Sequence, residues 1–188
     1  MSRSLTAVHP AVLDRLRLDV PTLRPMYQLS GAYDPPHSTS PSAGHTGGPI
    51  NAADWHILIV DDEPDIRASL RGLLEYEGYT VGEAVDGIGG LALIRASARP
   101  LIVLLDYKMP RMNGGEMLQA VMADPRLAGH HAFIFVTANL PAFSPELLQV
   151  LATTTIPVIQ KPYLLSDLLT EIERAIARLR ASPDAPAP

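Results

Sequence analysis

Four short apolar runs in this sequence stop at side chains that can do chemistry. Residues 56–60 (HILIV) are followed by Asp61, Asp62 and Glu63, residues 101–105 (LIVLL) by Asp106, residues 133–136 (FIFV) by Thr137, and residues 157–159 (PVI) by Gln160, Lys161 and Pro162. If these runs are parallel strands covered by helices, their carboxyl ends lie along one rim, where such sheets gather their functional groups. Three carboxylates converging there repel one another and have raised pKa values unless a cation neutralises them. With oxygen donors only, no cysteine and no suitably placed histidine, the expected cation is Mg²⁺, a hard ion that keeps several waters and leaves room for a phosphate oxygen. A carboxylate in such a pocket can attack a phosphoryl group and become an aspartyl phosphate. The transferred group then needs positive charge and hydrogen-bond donors, and Lys161 and Thr137 are groups of those kinds.

Taken singly, each residue has a plainer reading. Adjacent acids such as Asp61 and Asp62 stabilise a helix N-terminus. Asp106 suits a turn before Met109 and Pro110, Thr137 is a β-former at a strand end, and Lys161 alone is a solvated charge. Their joint placement after four successive apolar runs favours the chemical reading.

The elements that must position these groups follow from periodicity and from start and stop residues. Strands are expected at 56–60, 79–83, 101–105, 132–136 and 157–159, alternating with helical patterns as in successive βα units. Pro64 fits a first helical turn, Ile66, Leu70, Leu73 and Leu74 form one face, and Gly78 supplies a stop. Ser144 before Pro145 and Glu146 is an N-cap. In the last helix Leu165, Leu168, Leu169, Ile172, Ile176 and Leu179 make the apolar stripe, with the acid early and the arginines late, as the helix dipole favours. The second helix is expected to be the weakest, because Gly87, Gly89 and Gly90 crowd its start. The second strand ends in nothing chemically distinctive. The histidines read as bystanders, with His130 and His131 in a solvated loop before the fourth strand, and Met109, Met112, Met117 and Met122 read as packing and loop residues.

Four motifs, DDEP at 61–64, DYKMPRMNG at 106–114, TA at 137–138 and KPY at 161–163, occur in this order on the expected strand ends. With them the chain, from about Trp55 to Arg180, resembles the receiver domains of two-component response regulators. The resemblance implies an α/β fold with a doubly wound five-stranded parallel sheet, flavodoxin-like order 2-1-3-4-5, and helices on both faces. It implies Asp106 as phosphoacceptor, and Asp62 with Asp106 as direct Mg²⁺ ligands. Asp61 would help largely through water, and the backbone carbonyl of Lys108 would complete the protein's share of the metal shell. Thr137 would be the switch hydroxyl, Ala138 and Lys108 would offer backbone groups to the phosphoryl oxygens, Lys161 would pair with the phosphoryl group, and the bond before Pro162 would be cis.

The implied partners are a histidine kinase or histidine phosphotransfer protein as donor and a downstream protein as target. No catalysis is implied beyond the domain's own Mg²⁺-dependent phosphorylation and dephosphorylation. One departure stands out: three residues before Lys161, where many receivers carry a Tyr or Phe that turns inward, this chain has Val158. An aromatic switch is impossible at that position, and Pro141 should stiffen the loop after Thr137. These two residues support an alternative, a receiver-shaped binding module that works without phosphorylation. A phosphatase fits poorly, because enzymes resembling haloacid-dehalogenase phosphatases carry an acid two residues after the nucleophile, where Lys108 stands.

Composition bounds the rest. The chain has 188 residues, 47% of them hydrophobic, enough for one ordinary domain plus an extension. A net charge of -5 offers no general attraction to nucleic acid or anionic lipid, so neither is an expected partner. The absence of cysteine suits a reducing compartment, and no apolar run is long enough to span a bilayer, so a cytoplasmic location is expected. Residues 1–54 hold seven of the 18 prolines and a Gly/Ser/Thr/Pro/His-rich stretch, and are expected to be a flexible extension. Within them residues 11–20 could form a short helix or strand. The receiver domain is placed at 55–181, a disordered tail at 182–188, and no attached effector domain is expected.

Overall fold

The computed structural model describes residues 51–138 and 143–181. The expectations for residues 1–50, for Pro141 and for the tail at 182–188 lie outside the described residues. Five strands alternate with five helices: β1 (His56–Val60), α1 (Pro64–Tyr76), β2 (Thr80–Ala84), α2 (Gly87–Ala96), β3 (Leu101–Leu105), α3 (Gly114–Met122), β4 (Ala132–Thr137), α4 (Pro145–Thr153), β5 (Val158–Gln160) and α5 (Leu165–Ala181). All pairings are parallel and the sheet order is β2-β1-β3-β4-β5, the doubly wound order expected from the sequence.

The central runs are apolar throughout because each strand feeds two cores. Leu58, Val60, Val103, Leu105, Phe133 and Phe135 pack towards α2, α3 and α4. Ile57, Ile59, Ile102, Leu104, Ile134 and Val136 pack towards α1 and α5. Side chains alternate across a strand, so a strand covered on both faces needs apolar residues at every position. On α5 the buried stripe is Leu168, Ile172, Ala175, Ile176 and Leu179, and the Arg180 guanidinium lies 5.7 Å from the Trp55 ring centre.

Where strand ends differ from expectation, single residues explain the shift. Tyr79 stays outside β2 because Gly78, at φ +92°, turns the chain and the Tyr79 N–H donates to the Leu74 carbonyl at 2.9 Å. Thr137 is the last residue of β4 rather than the first beyond it. Pro157 lacks an N–H and stays outside β5, although its carbonyl accepts from the Phe135 N–H at 3.0 Å.

The α2 glycines have a packing reason. A Cβ on Gly87 would lie 2.6 Å from the Met112 carbonyl oxygen, and one on Gly90 would lie 3.0 Å from Met117 and Val60. Gly114 is tighter, since its Cβ would sit 2.3 Å from the Asp106 carbonyl oxygen, with Leu105 and Phe135 atoms at 3.1 Å. Backbone cannot yield there as a flexible side chain can. Gly114→Ala is therefore expected to lower unfolding free energy by about 3 kcal/mol, read as a drop in the urea midpoint at unchanged slope; an unchanged midpoint would remove this constraint.

His131 corrects the sequence reading. It is buried, and its Nδ1 accepts the Leu101 N–H at 3.2 Å, so the neutral ring carries its proton on Nε2. Burial, helped by His130, lowers its pKa from 6.5 to about 4. A depressed histidine pKa means that the unfolded chain binds the proton more tightly. Stability is thus fully present above pH 6.5 and lost as pH falls towards 4, by about 3 kcal/mol across the window. Chemical denaturation at intervals through that range should show the slope in the native chain and a flatter profile in His131→Gln.

Candidate functional site

The rim of the sheet is built by neighbouring strands that stop in register. Val60 pairs with Leu105, and just beyond them the Asp106 N–H donates to the Val60 carbonyl at 2.9 Å, which sets Asp61 and Asp106 side by side. Thr137 ends β4 opposite Gln160, and the next residue, Lys161, donates its N–H to the Thr137 carbonyl at 2.8 Å. Fold topology alone therefore gathers residues 61, 106, 137 and 161 at one edge.

The side chains meet there. Lys161 Nζ lies 2.8 Å from Asp61 Oδ2 and 3.5 Å from Asp106 Oδ1. The other oxygens are held by backbone: the Glu63 N–H donates to Asp61 Oδ1 at 2.9 Å, and the Lys108 N–H donates to Asp106 Oδ2 at 2.8 Å. Asp61, Asp106 and Thr137 are buried, Asp62 and Ala138 are exposed, and the Lys161-Pro162 bond is cis. Burial raises the Asp106 pKa against the opposing pull of Lys161, and the neighbouring Asp61 charge adds to the rise. Burial alone would lower Lys161, but its hydrogen bond to Asp61 and the charges of Asp106 and Asp61 outweigh that, so its pKa is raised and it stays an ammonium.

The expected convergence of three acids is reduced to two enclosed carboxylates and one exposed. Among the described residues no group of three or more His, Cys, Asp or Glu is assembled as metal ligands. Nor are Asp61 and Asp62 a helix-capping pair: the α1 N-cap is Glu63, which makes no side-chain cap bond. The donor set still fits a hard divalent cation. Two buried carboxylates share a single ammonium, and their mutual repulsion is part of what raises Asp106.

Around this pocket Arg67 donates to the Asp61 carbonyl at 2.8 Å, and Arg71 pairs with Glu83 of β2 at 2.5 Å. Tyr107, next to Asp106, stacks on Phe143 with centroids 4.7 Å apart, and Phe143 meets Phe135 at 5.6 Å. Val158 is half-buried against that same side of the core and pairs in register with Phe135.

Asp86 lies outside the motifs at the strand ends, and Arg111 lies within one of them without an expected role. Asp86, two residues beyond β2, is buried, caps α2 by accepting the Gly89 N–H at 2.8 Å, and forms an ion pair with Arg111. The Asp-Gly pair ahead of a helix was a usable cap signal; nothing in the sequence marks Arg111 as its partner.

Comparison with known proteins agrees with this geometry. Residues 57–173 match the response regulator receiver domain family. Response regulator MprA of Mycobacterium sp. strain KMS is 38% identical over 128 residues, which are 68% of this chain and 52% of that protein. The chain thus spans about half the length of the curated relatives it matches. A CheY-like receiver domain protein from Methanospirillum hungatei JF-1 superposes with TM-score 0.57 at 32% identity, covering 68% of this chain and 98% of that one. The response regulator TrrA of Thermotoga maritima, solved in complex with Mg²⁺ and BeF, gives TM-score 0.54 at 25% identity, covering 64% and 98%. Together with the strand order and the Asp61–Lys161–Asp106 cluster, these matches establish that the chain belongs to the response regulator receiver domain family.

Proposed function

We propose that Asp106 is the phosphoacceptor of this receiver domain, within a functional unit at residues 55–181, and that its phosphorylation switches a protein-binding face. The observation that carries the reading is the pair of contacts from Lys161 Nζ to Asp61 and Asp106, which puts a nucleophilic carboxylate, a second acid and a fixed cation in one pocket. An Asp106 carboxylate oxygen attacks the phosphorus of a phosphohistidine in the kinase or phosphotransfer partner; the O–P bond forms, the P–N bond breaks, and the imidazole keeps the electron pair and takes up a proton. Lys161 neutralises the incoming oxygens, with the Thr137 hydroxyl and the Ala138 and Lys108 amides as further donors.

Asp62 and Asp106, with the Lys108 carbonyl, would hold Mg²⁺. Asp61, whose two oxygens already accept from Lys161 and the Glu63 N–H, would act largely through water. The ion supplies charge neutralisation for the transferred group. Since no aromatic stands at 158, the signal is assigned to Thr137 and the surrounding loops, which bias α4, β5 and α5 between two arrangements for a downstream protein. Among the described residues no helix is long and apolar enough to cross a membrane. Incubation with acetyl phosphate and Mg²⁺ should add one phosphoryl group to the intact chain and none in excess EDTA; no addition to the native chain would refute the reading.

A further inference from the structure

Asp86 and Arg111 join two turns that are far apart in sequence. The Asp86 side chain is 2% exposed and the Arg111 side chain 61% exposed. A buried carboxylate is costly unless paired, and apart from this guanidinium Asp86 Oδ2 has no hydrogen-bond partner among the described residues. Capping alone does not call for the charge, since an Asn would accept the Gly89 N–H as well. Arg111 sits at φ +67°, a conformation that costs a non-glycine residue energy and persists where its surroundings over-determine it.

A second link runs beside the first. The Gly87 N–H donates to the Met112 carbonyl at 3.1 Å, at an approach that any Cβ on Gly87 would block. The loop held from outside in this way is the one that leaves Asp106. On its inner side the Lys108 N–H is bound to Asp106 Oδ2, and the Gly114 N–H donates to the Tyr107 carbonyl at 3.0 Å. The backbone of that loop is part of the proposed metal and phosphoryl pocket, whereas Asp86 and Arg111 themselves contact neither Lys161 nor Asp61 in any hydrogen bond or ion pair between described residues.

We propose that the Asp86–Arg111 ion pair is a positioning device for phosphoryl transfer, clamping the loop from Asp106 to Gly114 against the start of α2 so that the Lys108 backbone is held ready for the metal. This inference rests on the reading of Asp106 as a Mg²⁺-dependent phosphoacceptor. Both residues act through the loop and are positioning residues, not catalytic ones.

The test uses the full chain, Asp86→Asn, Arg111→Gln, the double variant and Arg111→Lys. Asp86→Asn keeps the cap and removes the buried charge, so it tests the clamp without stranding a carboxylate in the fold. Mg²⁺ titration by calorimetry should give a dissociation constant raised roughly tenfold in each single variant, no further rise in the double variant, and partial recovery in Arg111→Lys. The acetyl phosphate reaction at saturating Mg²⁺ should change less than twofold. Without metal, amide hydrogen exchange at 107–113 should quicken in Asp86→Asn while exchange in β1 and β3 stays as in the native chain. Unchanged Mg²⁺ binding and exchange in folded Asp86→Asn, or additive effects in the double variant, would overturn the clamp. A native chain that binds no Mg²⁺ would overturn the functional reading instead, and the metal-free exchange result would still decide whether the clamp exists.

Discussion

Asp106→Asn is expected to fold and to lose phosphorylation by more than roughly a thousandfold. The amide is nearly the same shape and its oxygen can still accept the Lys108 N–H, which now bonds Asp106 Oδ2 at 2.8 Å. What disappears is the nucleophile, because a neutral amide oxygen does not displace a leaving group at phosphorus. The variant also gives up one of the two enclosed negative charges facing Lys161, so Mg²⁺ should bind more weakly. Native-like circular dichroism with no phosphoryl incorporation is the expected result. Incorporation at the native rate would move the acceptor to another residue.

The second large effect belongs to Lys161, and it has two opposite signs. Lys161→Met removes the only side-chain cation within ion-pair distance of Asp61 and Asp106 among the described residues. The two carboxylates then repel without a neutralising charge between them, and loss of the Lys161 charge and hydrogen bond, which oppose burial, raises the Asp106 pKa further. Phosphorylation should fall about a hundredfold or more, the scale on which one preorganised electrostatic contact contributes to a transition state. Mg²⁺ binding should move the other way and tighten, because an ammonium that competes for the same carboxylates is gone. Parallel Mg²⁺ titrations and acetyl phosphate time courses on the two proteins separate these effects. Weakened Mg²⁺ binding in a folded Lys161→Met would mean that Lys161 shapes the metal site instead of competing with it.

Much of the fold was legible because the strands are apolar in a way that surface segments are not. LIVLL and FIFV admit few alternatives to central strands, and helix punctuation by Pro64, Gly78 and Ser144 matched the observed ends. Strand edges moved by a residue where backbone hydrogen bonding decides, as at Tyr79 and Pro157. The cluster at the rim was readable for a related reason: in a parallel sheet the carboxyl end of each strand has a known address, and Asp61, Asp106 and Lys161 just beyond β1, β3 and β5, with Thr137 as the last residue of β4, hold four of them.

Other features depend on three-dimensional detail without a local signature. His131 is buried with its Nδ1 accepting the Leu101 N–H at the start of β3, a contact across 30 residues that no local pattern announces. Asp62 was grouped with Asp61 by adjacency, yet the chain encloses one and exposes the other. The glycines of α2 looked like a helix-weakening excess until the approach of Met112 and Met117 gave at least two of them a purpose. The Asp86–Arg111 pair spans two crossover turns, and its arginine has a backbone conformation that residue type argues against.

The most direct measurement is peptide mapping of the full chain after reaction with acetyl phosphate and Mg²⁺, with the acyl phosphate trapped by borohydride before digestion. One modified peptide is expected, carrying Asp106, with the label absent when Mg²⁺ is withheld. Label on another residue, or an unlabelled chain under conditions where a known receiver domain reacts to completion, would contradict the assignment of Asp106 as the phosphoacceptor.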